Sequence, residues 1–221
     1  MKIKTTLLIL ILITFSCKKE TEIKKDSLKE KTELKNIVKP DTIYKLLKIS
    51  AETDTLEFSN QEPFLFIKTG KLFSQTTKNA ILISCPTDTT YKIELYKLNN
   101  KIWEKSDEIN KLEVPFIQYE ILLNDYNFDN FTDIYLNETS SQGFSLSRGN
   151  LLSVNSVTNK FKKHSETRNL ANMFADAKTK TIFVDSIAYE KDGKRVWKLI
   201  YKWKNGKLKN TKRKIRNDEA Y

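Results

Sequence analysis

Beyond Pro40 apolar residues recur at every second position, or gather in short runs closed by Asn, Gly, Asp or Pro. Segments 44–50, 63–68, 80–85, 91–98, 101–105, 116–123, 133–137, 151–156, 181–189 and 196–204 all follow this pattern. A period of two sends successive side chains to opposite faces, so each segment predicts a strand. Asn99-Asn100 and Asn205-Gly206 lie between neighbouring segments. Both pairs tolerate the positive φ angles of two-residue hairpin turns, and Asn-Gly is the stronger signal. No long helical period stands out; segment 166–178 is the exception, with a short helix expected around 170–174 and Phe174 filling the core. The pattern predicts an all-β domain over 41–206, an antiparallel sandwich or curved sheet of short strands with one short helix at most.

The two ends are patterned differently. Lys2 and Lys4 precede an apolar run over 7–13, then Thr14-Phe15-Ser16 and Cys17. A membrane-spanning helix needs about 20 apolar residues, so this run is too short to cross and remain. It has the length and order of a signal peptide over 1–16. Thr14-Phe15-Ser16-Cys17 resembles a relaxed lipobox, which implies that Cys17 is acylated, becomes the new N-terminus and anchors the chain to a membrane. Residues 17–40 alternate charges such as Lys24-Lys25-Asp26 with isolated Ile23, Leu28 and Leu34. That composition buries too little apolar surface to offset ordering entropy and predicts a tether. The basic end over 207–221 carries Lys207, Lys209, Lys212, Arg213, Lys214 and Arg216 and is expected to fray.

Charge narrows the partners. The 39 lysines and arginines exceed the 28 acids by 11, yet an exported chain rarely meets nucleic acid, so the excess is expected to be spread over a solvated surface. Cys85 is the only cysteine besides Cys17. It lies in an apolar stretch with no neighbouring cation to lower its pKa, and is expected in the core.

One stretch inverts the charge. Between Lys111 and Arg148 there is no lysine or arginine, while Glu113, Glu120, Asp125, Asp129, Asp133 and Glu138 all fall inside. Within it, Asp125-Tyr-Asn127-Phe-Asp129-Asn130-Phe131-Thr-Asp133 places oxygen-bearing side chains at alternate positions. A tight loop of this kind can wrap one hard cation, and Ca²⁺ takes six to eight oxygens. The expected ligands are the side chains of Asp125, Asn127, Asp129 and Asp133 and the Phe131 carbonyl, with Asn130 at the sharp turn that usually employs glycine. The twelfth position is Leu136, so the loop is not an EF-hand. The bland alternative is an Asx-rich turn whose short side chains bind backbone amides without an ion.

The loop, followed by Ile134-Tyr-Leu136, Asn159-Lys-Phe161, Lys178-Thr-Lys-Thr-Ile182 and Tyr201-Lys-Trp203-Lys-Asn-Gly-Lys-Leu208, resembles a calcium-loop family related to FG-GAP repeats. The resemblance covers less than half the chain. That family includes a lipid-anchored periplasmic lysozyme inhibitor acting as an immunity protein. It implies a single loop rather than a propeller, and an inhibitory segment in Thr139-Ser-Ser141-Gln-Gly143-Phe144-Ser, with Ser141, Gly143 and Phe144 meeting the partner. The alternative for that segment is a hairpin loop with Phe144 tucked onto the sheet.

These features together lead to the expectation of a lipid-anchored envelope protein, in the outer membrane and facing the periplasm or cell surface. It is expected to bind a lysozyme-like peptidoglycan hydrolase or another envelope protein. A calcium-stiffened structural lipoprotein is the second reading. Catalysis is not expected, because His164-Ser165-Glu166, adjacent along the chain, cannot by adjacency alone form a triad.

Overall fold

The computed structural model describes residues 38–87, 89–113, 119–138, 146–191 and 193–216. The chain is mostly β: thirteen strands in two antiparallel sheets with one α-helix among the described residues. Sheet one is a meander of β1 (Leu56–Gln61), β2 (Phe64–Gly70), β3 (Asn79–Thr87), β4 (Thr90–Asn99) and β5 (Ile102–Glu113) in sequence order.

Sheet two contains β6 (Tyr119–Asn124), β7 (Asp133–Glu138), β8 (Arg148–Asn155), β9 (Lys160–His164), β10 (Ala171–Asp176), β11 (Thr181–Glu190), β12 (Gly193–Lys204) and β13 (Lys207–Arg216). Its order is β13-β12-β11-β10-β8-β7-β6. One edge of β8 is shared: β10 takes its first residue, with Ala171 opposite Arg148, and β9 takes 151–155.

Alternation sorts side chains into three cores. Phe66, Ile81, Ile83 and Ile93 of sheet one meet Ile134, Leu136, Leu152 and Val154 of sheet two, which makes the molecule a sandwich. The opposite faces of the same strands build the other two cores. Leu65, Ile67 and Leu82 are covered by Ile43 and Leu46 of the helix α1 (Pro40–Glu52). Tyr135 and Leu151 pack with Met173, Ile182, Val184 and Leu208, where sheet two curls upon itself.

Several local expectations are corrected here. Segment 44–50 is not a strand but the body of α1. Ile43, Leu46, Leu47 and Ser50 fall at i, i+3, i+4 and i+7, one face of a helix, and Pro40 opens the first turn, where it forfeits no hydrogen bond. Lys78 Nζ donates to the Ser50 and Thr53 carbonyls, and Trp103 Nε1 donates to Leu47 O at 2.8 Å, tying the helix end to the sheet.

Around 170–174 there is no α-helix; a single 3-10 turn, Ser165–Thr167, precedes strand β10, and Phe174 is 56 % exposed rather than in the core. Over 207–216 the basic segment does not fray: β13 pairs with β12 through Asn205-Gly206, whose φ angles of 53° and 67° make the expected tight turn. The β4–β5 turn is displaced by one residue from Asn99-Asn100, with the positive φ angles at Asn100 and Lys101.

Candidate functional site

The loop between β6 and β7 starts and ends at the register pair Asn124 and Asp133. Asp133 is 1 % exposed, and its carboxylate accepts three hydrogen bonds. Oδ2 takes the amides of Tyr126 and Asn127, both at 2.9 Å, and Oδ1 takes Asn127 Nδ2 at 3.1 Å. Asp125 accepts from the amides of Asp129 and Asn130, Asn127 Oδ1 from Asp129, and Asp129 Oδ1 from Phe131. Asn127 and Asp129 each close an Asx turn, and Asp125 spans the loop to amides four and five residues on. Asn130 makes the left-handed turn expected of it, with φ 70°, and Phe128 shares it with φ 62°. Burial, and then the charges of Asp129 and Asp125, push the Asp133 carboxyl up to about 8 against the two amides that hold it down.

All-oxygen donors of this kind suit Ca²⁺ chemically, and carboxylates retain acceptor capacity beyond one amide each. Asp125, Asn127, Asp129, Asp133 and the Phe131 carbonyl would hold such an ion and exchange mutual repulsion for attraction. In the arrangement described, their oxygens bind amides, and no three acidic, His or Cys side chains among the described residues cluster as a metal group.

Beside this loop opens a cleft of about 380 Å³. Asn127 and Asp129 of the loop line it with Ser153, Lys162, His164, Trp203 and Gly206. Cross-strand register explains the contribution of β8 and β9. Ser153 pairs with Lys162 and Leu151 with His164, so all four point to one face of the β8–β9 ladder.

Ser153 Oγ lies 2.8 Å from His164 Nε2, and both residues are buried. The 3-10 turn brings Glu166 back so that Oε1 is 3.8 Å from His164 Nδ1; the same oxygen accepts the Leu208 amide at 3.3 Å. Trp203 packs edge-on against the imidazole with centroids 4.9 Å apart, and its Nε1 donates to Tyr126 O at 2.7 Å. Burial lowers the His164 pKa, as does the Lys162 charge, while Glu166 opposes both.

Comparison of the chain with protein-family models, curated proteins and solved structures finds no match. Function therefore rests on the site and on the chain's own patterning.

Of the residues singled out from sequence, Asp125, Asn127, Asp129, Phe131 and Asp133 share one ordered loop. Cys17, Ser141, Gly143 and Phe144 lie outside the described residues. Cys85 is in the inter-sheet core as expected, its Sγ donating to the Thr87 and Thr90 carbonyls. Sequence reasoning missed Ser153, Lys162 and Trp203. His164 was weighed against the adjacent Ser165, whereas the serine that reaches it lies eleven residues upstream on another strand. Only the β8–β9 register reveals that pairing.

Proposed function

We propose that this chain is a lipid-anchored protein of the bacterial envelope that works as a binding module. Its partner is a lysozyme-like peptidoglycan hydrolase or another envelope protein. The observation that carries the reading is the ordered acidic loop over 124–133, set in a stretch of 36 residues, 112–147, without lysine or arginine. Fixed acidic groups on one rim of a basic molecule favour a partner with a basic face, and such complementarity sets encounter rate and orientation. The basic, apolar and Cys17 segments of the N-terminus support the anchor. A tether ending near Pro40 gives the module reach, at roughly 3.3 Å per residue when extended.

Two measurements test it. Labelled palmitate should enter the wild-type chain and not C17A. The purified chain should slow at least one hydrolase in a lysozyme panel, and D125N/D129N should weaken that inhibition several-fold at low salt. Absence of inhibition across the panel would count against the hydrolase partner. A calcium brace is part of the same proposal: calorimetry should record Ca²⁺ uptake by the wild-type chain and a loss of it in D125N/D129N.

A further inference from the structure

We propose that Ser153, His164 and Glu166 form a serine-nucleophile centre that hydrolyses short-chain carboxylic esters of polar, hydroxyl-bearing alcohols. The proposal stands apart from the envelope-binding reading: its reacting groups lie outside the acidic loop, although Asn127 and Asp129 of that loop line the same cleft.

The geometry supplies each role in turn. Ser153 Oγ, 2.8 Å from His164 Nε2, is within hydrogen-bond reach of a base. The Glu166 carboxylate beside Nδ1 favours the tautomer with the proton on Nδ1, which leaves Nε2 to accept the serine proton. At 3.8 Å the Nδ1 to Glu166 separation exceeds a hydrogen bond, and such contacts tighten when substrate binds.

Glu166 is itself positioned by the Leu208 amide, and the turn that carries it is fixed by Thr167 Oγ1 donating to His164 O at 2.7 Å. Trp203 holds the imidazole plane from the side. Lys162, directly across the ladder from Ser153, lines the same cleft with its ammonium 3.3 Å from Gly206 O. It is the cation placed to stabilise negative charge developing on a carbonyl oxygen above Ser153.

The reaction balances without a cofactor. Ser153 Oγ attacks the ester carbonyl carbon while its proton passes to His164 Nε2. The C–O bond to the alcohol then breaks, and the alcohol leaves with that proton. Water, deprotonated by His164, attacks the acyl-serine; the acid departs and Ser153 regains its proton.

The cleft restricts the substrate. About 380 Å³ is near the lower end of the roughly 300–1,000 Å³ usual for ligand pockets. Val154 and Trp203 offer apolar surface to a short acyl group, while Asn127, Asp129 and Lys162 offer hydrogen-bonding groups to a hydroxyl-bearing alcohol; the volume, not the polarity, excludes a long acyl chain.

The test is labelling of the full chain with a fluorophosphonate, located by peptide mass spectrometry, together with hydrolysis of 4-nitrophenyl acetate. A stoichiometric adduct on Ser153 is expected, with both adduct and hydrolysis lost in S153A. That change removes one hydroxyl, and a matching circular dichroism spectrum shows that the fold is kept. H164Q should slow labelling about 10²–10⁴-fold, the usual contribution of a positioned base.

Glu166 acts through His164 and is a positioning residue. E166Q should lower the labelling rate and move its acid limb to lower pH, because the carboxylate raises the His164 pKa; a merely structural role would leave the limb in place. No adduct on Ser153, or an S153A chain as active as wild type, overturns the proposal. Either result leaves hydrolase inhibition and Ca²⁺ uptake unaffected, so the two readings fail separately.

Discussion

His164 and Asp133 are buried ionisable groups whose charged forms burial disfavours. His164 is 4 % exposed and kept neutral by burial. Its folded pKa lies below the ordinary value near 6.5, so the unfolded chain binds the proton first. The stability this contributes is complete above the unfolded pKa and is lost as pH falls through the folded one. The raised Asp133 carboxyl pulls the other way across pH 7.5 to 5, so the expected signature in urea titrations is a wild type that loses stability relative to H164Q as pH falls; a constant difference between the two would exclude a contribution from His164.

Asp133 is a hub for three donors, so D133A strands buried amides, and each unsatisfied group costs about 1–3 kcal/mol. The expected drop in unfolding free energy is at least that large, read from the denaturation midpoint. The loop was legible in the sequence because Asx turns are local: Asp125, Asn127 and Asp129 reach amides two to five residues away. Ser153 and His164 were not, because their meeting depends on which residues β8 and β9 place opposite one another.

At the scale of elements, short apolar segments carry two meanings. Tyr44, Leu46, Leu47 and Ile49 fit a strand as well as a helix over seven residues, and only the longer frame from Pro40 to Ser50 separates them. The outcome leaves Tyr44 and Ile49 exposed and buries Leu47. L47A should cost about 2–5 kcal/mol, the range for truncating a buried leucine, and should loosen α1 first, visible as faster amide exchange over 43–52. β10 was misread because Leu170 to Phe174 contains good helix formers, whereas its pairing with β11 supplies the hydrogen bonds that decide.

β8 admits one residue only at its start. A Cβ at Gly149 would stand 2.1 Å from the Leu136 carbonyl oxygen on β7. G149A should therefore destabilise by about 1–3 kcal/mol or more, and thermal melting with a shift under a degree would contradict that packing.

For the whole molecule, the all-β class was legible in short segments bounded by turn residues; where both faces of a strand are covered, as in β2 and β3, alternation gives way to a continuous apolar run. The third layer, α1 over sheet one, was not read. Nor was strand β13: Leu208, alone among its residues, is buried, and ten residues that read as solvent-facing close sheet two. That last strand also bears on how many copies can live side by side. β13 ends the order of sheet two, where backbone groups on an outer edge could template the same edge of a neighbour. Lys207, Lys209, Lys212 and Lys214 crowd it, and the register slips between its pairings with Leu199 and Tyr201, with Lys212 at φ 61°. Like-charge repulsion and a broken ladder are defences against fibril growth. Replacing the four lysines with threonine should leave the monomer folded yet bring on thioflavin-positive aggregates at concentrations where the wild-type chain stays clear. The excess of positive charge would then be a device that keeps neighbouring copies of the chain apart.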